Sequence, residues 1–384
     1  MRKFEAGYMT KKQYMRNIIK ILMILAGNSV LAQNNFTIEL NAPAFENDSL
    51  FVGPATNAGN AKNIYNFTVD PNSNTSFLKN FNSVIARIKG KQTIIEGKID
   101  YPQLINISYF DPKINGGYLT KPFFIEKGNF KIFVNRDNNL DYQLETNSAA
   151  NTEYQKLSLE LVNFNEKLKP YQENDEKDLQ AKHNFLRKYI KENPNSFVAF
   201  WEIVNDFSKF GFSKSYIESL SLFSKTVKKS FSYIEFKKII DIENSTNVGG
   251  YFPNVFFGNN EKITKSDFSR YDVTLIDYWS TTCKPCIQDL PKLVRLYEKY
   301  KDQKVNFISV TAETQKDKIK LAESILRKNN VNWKYFFDLK EEFPKKLNAS
   351  GYPLQILVDS NGKIIDRKLG ELDEIELTIQ KYIK

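Results

Sequence analysis

Residues 274–286 read TLIDYWSTTCKPC and contain both cysteines of the 384-residue chain. The run Thr274 to Tyr278 is β-branched and aromatic, which predicts a short buried strand that ends before the polar residues 280–282. A helix can begin directly afterwards, because Pro285 suits the first helical turn, where its missing N–H costs nothing. Apolar residues then recur at steps of three and four: Ile287, Leu290, Leu293, Val294 and Tyr297. The stretch therefore predicts a strand, a turn and a helix, with the cysteines at the junction.

The position of the two cysteines predicts thiol-disulfide exchange. At the start of a helix, unpaired backbone N–H groups and the positive end of the dipole stabilise an anion, so Cys283 is the expected attacking thiolate. Lys284 adds a positive charge beside it. Cys286 lies three residues on, under the first helical turn, where it can attack a mixed disulfide on Cys283 and release the reduced partner.

Asp277 is an unusual residue within the predicted strand. A strand buried on both faces is nearly continuously apolar, and an ionised carboxylate there carries a desolvation penalty. Burial raises the pKa of such an aspartate toward the range of a proton carrier, so Asp277 is a candidate acid or base for the exchange.

Two structural interpretations of the cysteines compete with a redox role. A closed zinc site needs four ligands, and the chain has two cysteines and a single histidine, His183, which lies far away in the sequence. An inert structural disulfide is a second possibility, but a bridge that closes so short a loop constrains little of the unfolded chain. The sequence thus predicts no metal and no cofactor, and it assigns the redox chemistry to the two sulfurs themselves.

At these residues the sequence resembles the thioredoxin superfamily. The signature of that superfamily is a strand, a tryptophan, a short linker, Cys-X-Pro-Cys and a kinked helix, and Asp277 stands where thioredoxin keeps a buried aspartate. The residues in matching places are Trp279, Cys283, Pro285, Cys286 and Pro291. One position differs, because Thr282 precedes the first cysteine where the superfamily usually has tryptophan.

The resemblance also implies a cis-proline that faces the cysteines. Tyr352-Pro353 lies just ahead of an apolar run, and an X-Pro bond is where a cis peptide carries a small penalty. By resemblance, the catalytic residues are Cys283, Cys286, Asp277 and Pro353. The residues implied in substrate binding are Trp279, Lys284, Pro285 and Tyr352, with the backbone of Tyr352 pairing the partner's chain as an added strand.

The first 32 residues have the layout of a secretory signal peptide. Lys11, Lys12 and Arg16 precede an apolar stretch from Ile18 to Ala32. The stretch ends in Val30-Leu31-Ala32, which offers small residues for a cleavage site. An uncleaved membrane anchor is the alternative, although 15 residues are fewer than the roughly 20 that span a bilayer. The rest of the chain carries a net charge of +5, because six of the 55 basic and one of the 45 acidic residues lie in residues 1–32. So mild a charge, without a dense basic stripe, does not indicate nucleic-acid binding.

The pattern of the remaining chain predicts three domains. Residues 33–148 alternate short β-rich runs with turn clusters, which is typical of a small antiparallel β domain. Residues 149–245 have helical periodicity and are expected to form a helical linker domain. Residues 246–384 contain the cysteine motif and are predicted to adopt an α/β thioredoxin-like fold.

Within the superfamily, residues 250–384 resemble the secreted TlpA-like thiol-disulfide oxidoreductases of Gram-negative bacteria. A hairpin before the reactive unit and an extra segment before the cis-proline carry this resemblance. It implies a periplasmic reductase with protein disulfides as substrates and a membrane electron donor as its supply.

Two other functions remain open at this point. Peroxiredoxins share the fold, but Ser280 stands where their Pro-x-x-x-Thr-x-x-Cys pattern has threonine, and Ile276 stands where it has proline. The third hypothesis is a binding or surface-assembly protein in which the front domains carry the function and the thioredoxin-like unit is a scaffold.

Overall fold

Two units make up the described part of the chain. The computed structural model describes residues 34–55, 66–68, 75–78, 83–90, 92–111, 116–136, 140–170, 172, 174–258, 261–349 and 351–383. One unit comprises the described residues up to Lys182 together with 192–208 and 224–232, and the other comprises 183–191, 209–223 and the chain from Tyr233 onward. The domain boundaries at residues 148 and 245 stay predictions. So does the signal peptide, since residues 1–32 lie outside the described ranges.

The first unit is built on two β-sheets. Its strands are β1 (Phe36–Asn41), β2 (Ser49–Pro54), β3 (Asn66–Thr68), β4 (Thr75–Leu78), β5 (Ser83–Arg87), β6 (Gln92–Lys98), β7 (Gln103–Asp111), β8 (Gly116–Leu119), β9 (Phe123–Ile125), β10 (Gly128–Val134) and β11 (Tyr142–Glu145). One sheet has the order β11-β10-β1-β6-β3, and the other has β4-β5-β2-β7-β8 with β9 also paired to β7. The β1–β10 pair is parallel and the other pairs are antiparallel.

The alternation of buried and partly buried side chains explains these strands. In β1, Phe36, Ile38 and Leu40 are buried while their neighbours are half-buried, which is the two-residue period of a strand with one face against a core. This part of the chain was predicted as a β domain on that same pattern, and the prediction is confirmed.

The region after β11 is helical, as predicted. Its helices are α1 (Ala149–Lys167), α2 (Glu176–Glu192), α3 (Phe197–Phe210), α4 (Ser215–Ser221), α5 (Lys225–Lys228) and α6 (Phe231–Thr246). Ser148 caps α1 by accepting a hydrogen bond from the N–H of Asn151. The Asn151 amide in turn pairs with the backbone N–H and C=O of Phe124 in β9, which fixes the start of α1 on the sheet of its own unit. Within the described ranges, no helix combines the length and apolarity that a membrane span requires.

The second unit contains a five-stranded sheet of order β16-β15-β14-β17-β18. Its elements are the hairpin β12 (Val255–Gly258) and β13 (Glu261–Ile263), then β14 (Val273–Trp279), α7 (Lys284–Tyr300), β15 (Val305–Thr311), α8 (Lys316–Lys328), β16 (Lys334–Phe337), α9 (Glu342–Leu347), β17 (Leu354–Asp359), β18 (Ile364–Leu369) and α10 (Leu372–Tyr382). Strands β14, β15 and β16 run parallel, and β17 and β18 continue the sheet antiparallel. This arrangement confirms the thioredoxin-like α/β fold predicted for the C-terminal part.

The central strand β14 is buried along its whole length. Its side chains alternate between the two faces of the sheet: Leu275 and Trp279 join the core that α7 and α10 cover, and Ile276 and Tyr278 join the core on the other face. Alternate residues of a strand point to the same face, so Asp277 lies on the α7 side together with Leu275 and Trp279. The continuous burial explains why this strand reads as almost entirely apolar in the sequence.

Polar contacts attach the last turns of α6 to the thioredoxin-like fold. The guanidinium of Arg367 on β18 donates to the carbonyl oxygens of Leu347, at 2.6 Å, and Thr246, at 3.1 Å. Glu243 on α6 lies 3.7 Å from Arg367 and accepts a hydrogen bond of 2.6 Å from the side-chain amide of Asn348. These contacts hold the end of α9 and the beginning of the loop that follows it.

Candidate active site

The two cysteines lie at the amino end of α7 and form a disulfide. Cys283 is the N-cap residue of the helix, and its Sγ accepts a hydrogen bond of 3.1 Å from the backbone N–H of Cys286. β14 ends four residues earlier, at Trp279, so the predicted strand, turn and helix are present. A sulfur in this position faces the unpaired N–H groups of the first turn, where negative charge is stabilised.

The two sulfurs differ in their access to solvent. Cys283 is 7% exposed and Cys286 is 2% exposed, while Lys284 and Pro285 between them are exposed. An incoming partner therefore reaches Cys283 first. Cys286 lies beneath the first turn of the helix, with a Cα 5.3 Å from that of Cys283.

The loop before β17 brings a second chain segment to the cysteines. Its Tyr352–Pro353 peptide bond is cis, as the sequence predicted. The carbonyl oxygen of Tyr352 lies 3.7 Å from Sγ of Cys283, although the two residues are 69 positions apart in the chain. Pro353 is buried, whereas Tyr352 is 41% exposed. An exposed residue, Tyr352, thus lies beside Cys283.

The carboxyl group of Asp277 is buried within β14. Burial raises its pKa from the ordinary 3.8 to about 7, while the hydrogen bond from the Gln355 amide opposes part of this rise and nearby Asp289 on α7 adds to it. The donor–acceptor distance from Gln355 Nε2 to Asp277 Oδ1 is 2.9 Å. A carboxyl group with a pKa near 7 can hold or release a proton at neutral pH, which is what a proton carrier needs.

The surroundings of Trp279 are those of a core residue. Its side chain is 1% exposed and belongs to the apolar cluster under α7. Its predicted role in substrate binding stays a prediction. Among the residues proposed for substrate binding, Lys284, Pro285 and Tyr352 are exposed, and Trp279 is not.

Glu313 is a site residue that the sequence analysis did not identify. Its buried Oε1 accepts hydrogen bonds from Ser280 Oγ, at 2.9 Å, from the Thr281 N–H, at 2.8 Å, and from Thr281 Oγ1, at 2.7 Å. These bonds fix the turn that leads from β14 to Cys283. An acidic residue two positions after the end of the neighbouring strand β15 was the available signal, since adjacent parallel strands end at the same edge of a sheet.

The residue before the first cysteine, Thr282, belongs to the same turn. Its hydroxyl lies 3.0 Å from Ser280 Oγ, and its N–H donates to that oxygen at 3.2 Å. The side chain of Thr282 is exposed, so a small polar group flanks Cys283 where the superfamily usually has a large aromatic one.

Metal binding was the structural alternative for the cysteines. In the described ranges, no group of three or more His, Cys, Asp and Glu side chains is placed to hold a metal ion. His183 lies in α2, where its ring packs edge-on against Tyr216 at a centroid distance of 4.9 Å.

Comparison with known proteins agrees with this geometry. Residues 247–382 match the model of the Redoxin family. The thiol-disulfide oxidoreductase ResA of Bacillus thuringiensis subsp. konkukian is 28% identical over 144 residues, which is 37% of this chain and 80% of ResA. The sporulation thiol-disulfide oxidoreductase A of Bacillus subtilis is 22% identical over 104 residues, which is 27% of this chain and 63% of that protein.

Solved structures are also similar to this part of the chain. The crystal structure of a thiol:disulfide interchange protein DsbE from Chlorobium tepidum, itself described as putative, aligns with a TM-score of 0.32 and 23% identity. The alignment covers 36% of this chain and 99% of that one.

Proposed function

We propose that this protein, whose C-terminal domain is a TlpA-like thiol-disulfide oxidoreductase of the thioredoxin superfamily, reduces disulfide bonds of other proteins through Cys283 and Cys286. The observation that supports this most directly is the placement of Cys283. Its sulfur caps a helix and lies 3.7 Å from the carbonyl oxygen of Tyr352, and Cys283 is the more exposed cysteine of the pair.

The first step uses the reduced protein. The Cys283 thiolate attacks one sulfur of the partner's disulfide, so that a Cys283–partner bond forms, the partner's S–S bond breaks and one partner thiolate leaves. The N–H of Cys286 and the helix dipole stabilise the Cys283 thiolate before the attack.

The second step releases the partner. Cys286 loses its proton and its thiolate attacks Sγ of Cys283, so that the Cys283–Cys286 bond forms, the Cys283–partner bond breaks and the second partner sulfur leaves as a thiolate. Two electrons pass from the protein to the partner, and the protein is left with the disulfide present in this structure. Asp277 is the proposed acceptor of the Cys286 proton, and the carboxylate exists in quantity near neutral pH because its pKa lies at about 7.

The partner is held by backbone pairing beside the cysteines. Tyr352 offers its carbonyl and N–H to an extended segment of the partner, which adds as a short strand next to Pro353. Lys284 and Pro285 form the exposed rim on the other side of Cys283. Contacts to backbone suit an enzyme that accepts more than one protein disulfide.

We place the reaction in the periplasm. Residues 1–32 are the proposed cleaved signal peptide, with an uncleaved membrane anchor as the alternative. Since each reduction leaves the protein oxidised, a membrane electron donor is the proposed source of the two electrons that restore the dithiol.

The peroxidase and scaffold hypotheses are less well supported. The relatives compared above are thiol-disulfide oxidoreductases by name. A peroxidatic cysteine also requires the Thr and Pro positions that Ser280 and Ile276 occupy here.

Insulin reduction tests the proposed function. In the presence of dithiothreitol, the protein is expected to shorten the lag before insulin chains precipitate, because it transfers electrons faster than dithiothreitol alone. The control is the same protein reduced and then alkylated at both cysteines with iodoacetamide. A turbidity trace equal to that of the control would remove the oxidoreductase proposal and favour the scaffold hypothesis.

Alkylation of the reduced protein tests the assignment of the two sulfurs. We expect iodoacetamide at substoichiometric amounts to label Cys283 ahead of Cys286, because Cys283 is both the more exposed and the one at the helix cap. Peptide mass spectrometry gives the ratio. Equal labelling of the two cysteines would contradict the assigned roles.

A further inference from the structure

Gln355 is a buried polar residue that the mechanism above does not use. It lies on β17 directly opposite Asp277 of β14, in the antiparallel register of these central strands. Its side chain is 0% exposed. A buried amide is costly unless both of its ends are hydrogen-bonded, so the partners of Gln355 decide how it is held.

Both ends of the Gln355 amide have partners, and those partners determine its orientation. The backbone N–H of Gly370 lies 3.2 Å from Oε1, and Nε2 lies 2.9 Å from Asp277 Oδ1. A backbone N–H can only donate, so the atom that faces Gly370 must be the amide oxygen. The NH₂ group is therefore turned toward Asp277.

Gly370 can make this contact because of its backbone conformation. It follows β18 with a φ of +75°, in the left-handed region that favours glycine. A Cβ at this position would lie 3.7 Å from Cγ of Pro353, so Gly370 also lies against the cis-proline. The Gln355 amide is thus anchored at a residue that packs against Pro353, in the loop that flanks Cys283.

An amide NH₂ fixed on one carboxyl oxygen restricts where the acid can carry its proton. Asp277 Oδ1 accepts the hydrogen bond from Gln355, and no donor among the described residues reaches Oδ2. A proton on Oδ1 would compete with the Gln355 N–H, whereas a proton on Oδ2 leaves that bond intact.

We propose that Gln355 is a positioning residue for proton transfer: anchored by Gly370, its amide occupies Asp277 Oδ1 and directs the proton of Asp277 to Oδ2. This rests on the proposed function, in which Asp277 takes the proton of Cys286. The same hydrogen bond favours the carboxylate and lowers the pKa that burial raises, so Gln355 also sets the pH at which Asp277 can accept a proton.

Other groups around Asp277 act on its charge and are left unchanged by substitutions at Gln355. Asp289 on α7 raises the pKa of Asp277 and is itself 4.0 Å from Lys292 and influenced by Asp373 of α10. On β15, Ser309 lies opposite Asp277, and its hydroxyl accepts a hydrogen bond from Trp333 Nε1.

The test uses the full-length protein with Gln355→Met, which keeps the length of the side chain and removes both hydrogen-bonding groups. We measure the pH dependence of the step in which Cys286 releases a preformed mixed disulfide, and the titration of the Asp277 carboxyl carbon by NMR in the reduced protein. Both midpoints are expected to rise by about 1 to 2 pH units, since the variant loses a hydrogen bond to the carboxylate that lowers the pKa of Asp277.

Gln103→Met is the matched control. Gln103 is also a strand glutamine with 0% exposure, but it lies on β7 of the first unit. Its replacement removes the same atoms from a buried site and is expected to leave both midpoints unchanged.

Gln355→Glu keeps the proposal testable if the methionine variant does not fold. Glutamate has nearly the same shape, but two carboxyl groups then share the site, and we expect two coupled midpoints in place of one. A single midpoint at the wild-type pH, in either variant, would overturn the positioning role.

Asp277→Asn separates this inference from the proposed function. If the asparagine variant keeps the wild-type pH profile of the release step, Asp277 is not the proton carrier and the role of Gln355 fails with it, while disulfide reduction by Cys283 and Cys286 is still decided by the insulin assay. If it changes the profile and Gln355→Met does not, the carrier stands and only the role of Gln355 is wrong.

Discussion

Cys283→Ser is expected to reduce insulin no faster than dithiothreitol alone. The attacking group in the proposed exchange is a thiolate, and a serine hydroxyl does not ionise near neutral pH, so the first bond to the partner cannot form. The fold should be unaffected, because the serine oxygen can still accept the N–H of Cys286 as an ordinary N-cap. Stopped-flow mixing with a disulfide substrate measures the loss.

Cys286→Ser is expected to give a different result. Cys283 can still attack, but no second thiol can release the partner, so a mixed disulfide accumulates. Non-reducing electrophoresis of cell extracts, followed by mass spectrometry of the trapped species, identifies the partner and the linked cysteine. The double variant Cys283→Ser with Cys286→Ser is the control and should trap nothing. Trapping through Cys286 in the Cys283→Ser variant, but not through Cys283, would reverse the assigned roles.

Asp277→Asn is expected to stabilise the C-terminal unit above neutral pH. The pKa of Asp277 is about 7 in the folded protein and 3.8 as its ordinary value, so the folded state holds a proton that the unfolded state has lost between these two pH values. Stability therefore falls as pH rises from about 4 to about 7, and above pH 7 the buried carboxylate costs about 4 kcal/mol at about 1.36 kcal/mol per pKa unit. Asparagine removes this cost and can still accept the Gln355 hydrogen bond.

The measurement is hydrogen exchange of the β14 amides over a urea series, which reports the stability of this unit within the whole chain. At pH 8 the free energy of opening should be larger in the variant than in the wild-type protein by about 4 kcal/mol. At pH 4 this difference should nearly vanish. Asp302→Asn, at an exposed position after α7, is the control and should show no such pH dependence. A difference that stays constant from pH 4 to pH 8 would mean that the Asp277 carboxyl is not the source. A variant that gains stability but loses activity is expected when the replaced group, here the Asp277 carboxyl, is retained for function.

Much of the fold was predictable because its signals are local. The strand β14 and the helix α7 follow from periodicity within single segments, and burial on both faces made the strand apolar except at Asp277. Pro353 was found through the resemblance to the thioredoxin superfamily, which implies a cis-proline near the cysteines, and the bond before it is cis. Trp279 shows the limit of this approach, since its place in the motif does not indicate that its side chain is buried in the core.

Three contacts at the site have no local signature. Glu313 reaches Ser280 and Thr281 across 32 residues or more, Gln355 reaches Asp277 across 78, and Tyr352 reaches Cys283 across 69. A glutamate after a strand, or a glutamine within a strand, is compatible with many structures. The role of such a residue depends on which side chains lie next to it in the folded protein.

By itself, the sequence determined the chemistry: two sulfurs three residues apart at a strand-to-helix junction, with an acid in the strand before them. These features depend on residues close together in the chain, where backbone geometry alone sets the distances. The tertiary structure decided what surrounds the sulfurs, because the order β16-β15-β14-β17-β18 places β15 and β17 on either side of β14. That order follows from the packing of the whole sheet against its helices. It brings Glu313 to the turn before Cys283, Gln355 to Asp277 and Tyr352 to Cys283.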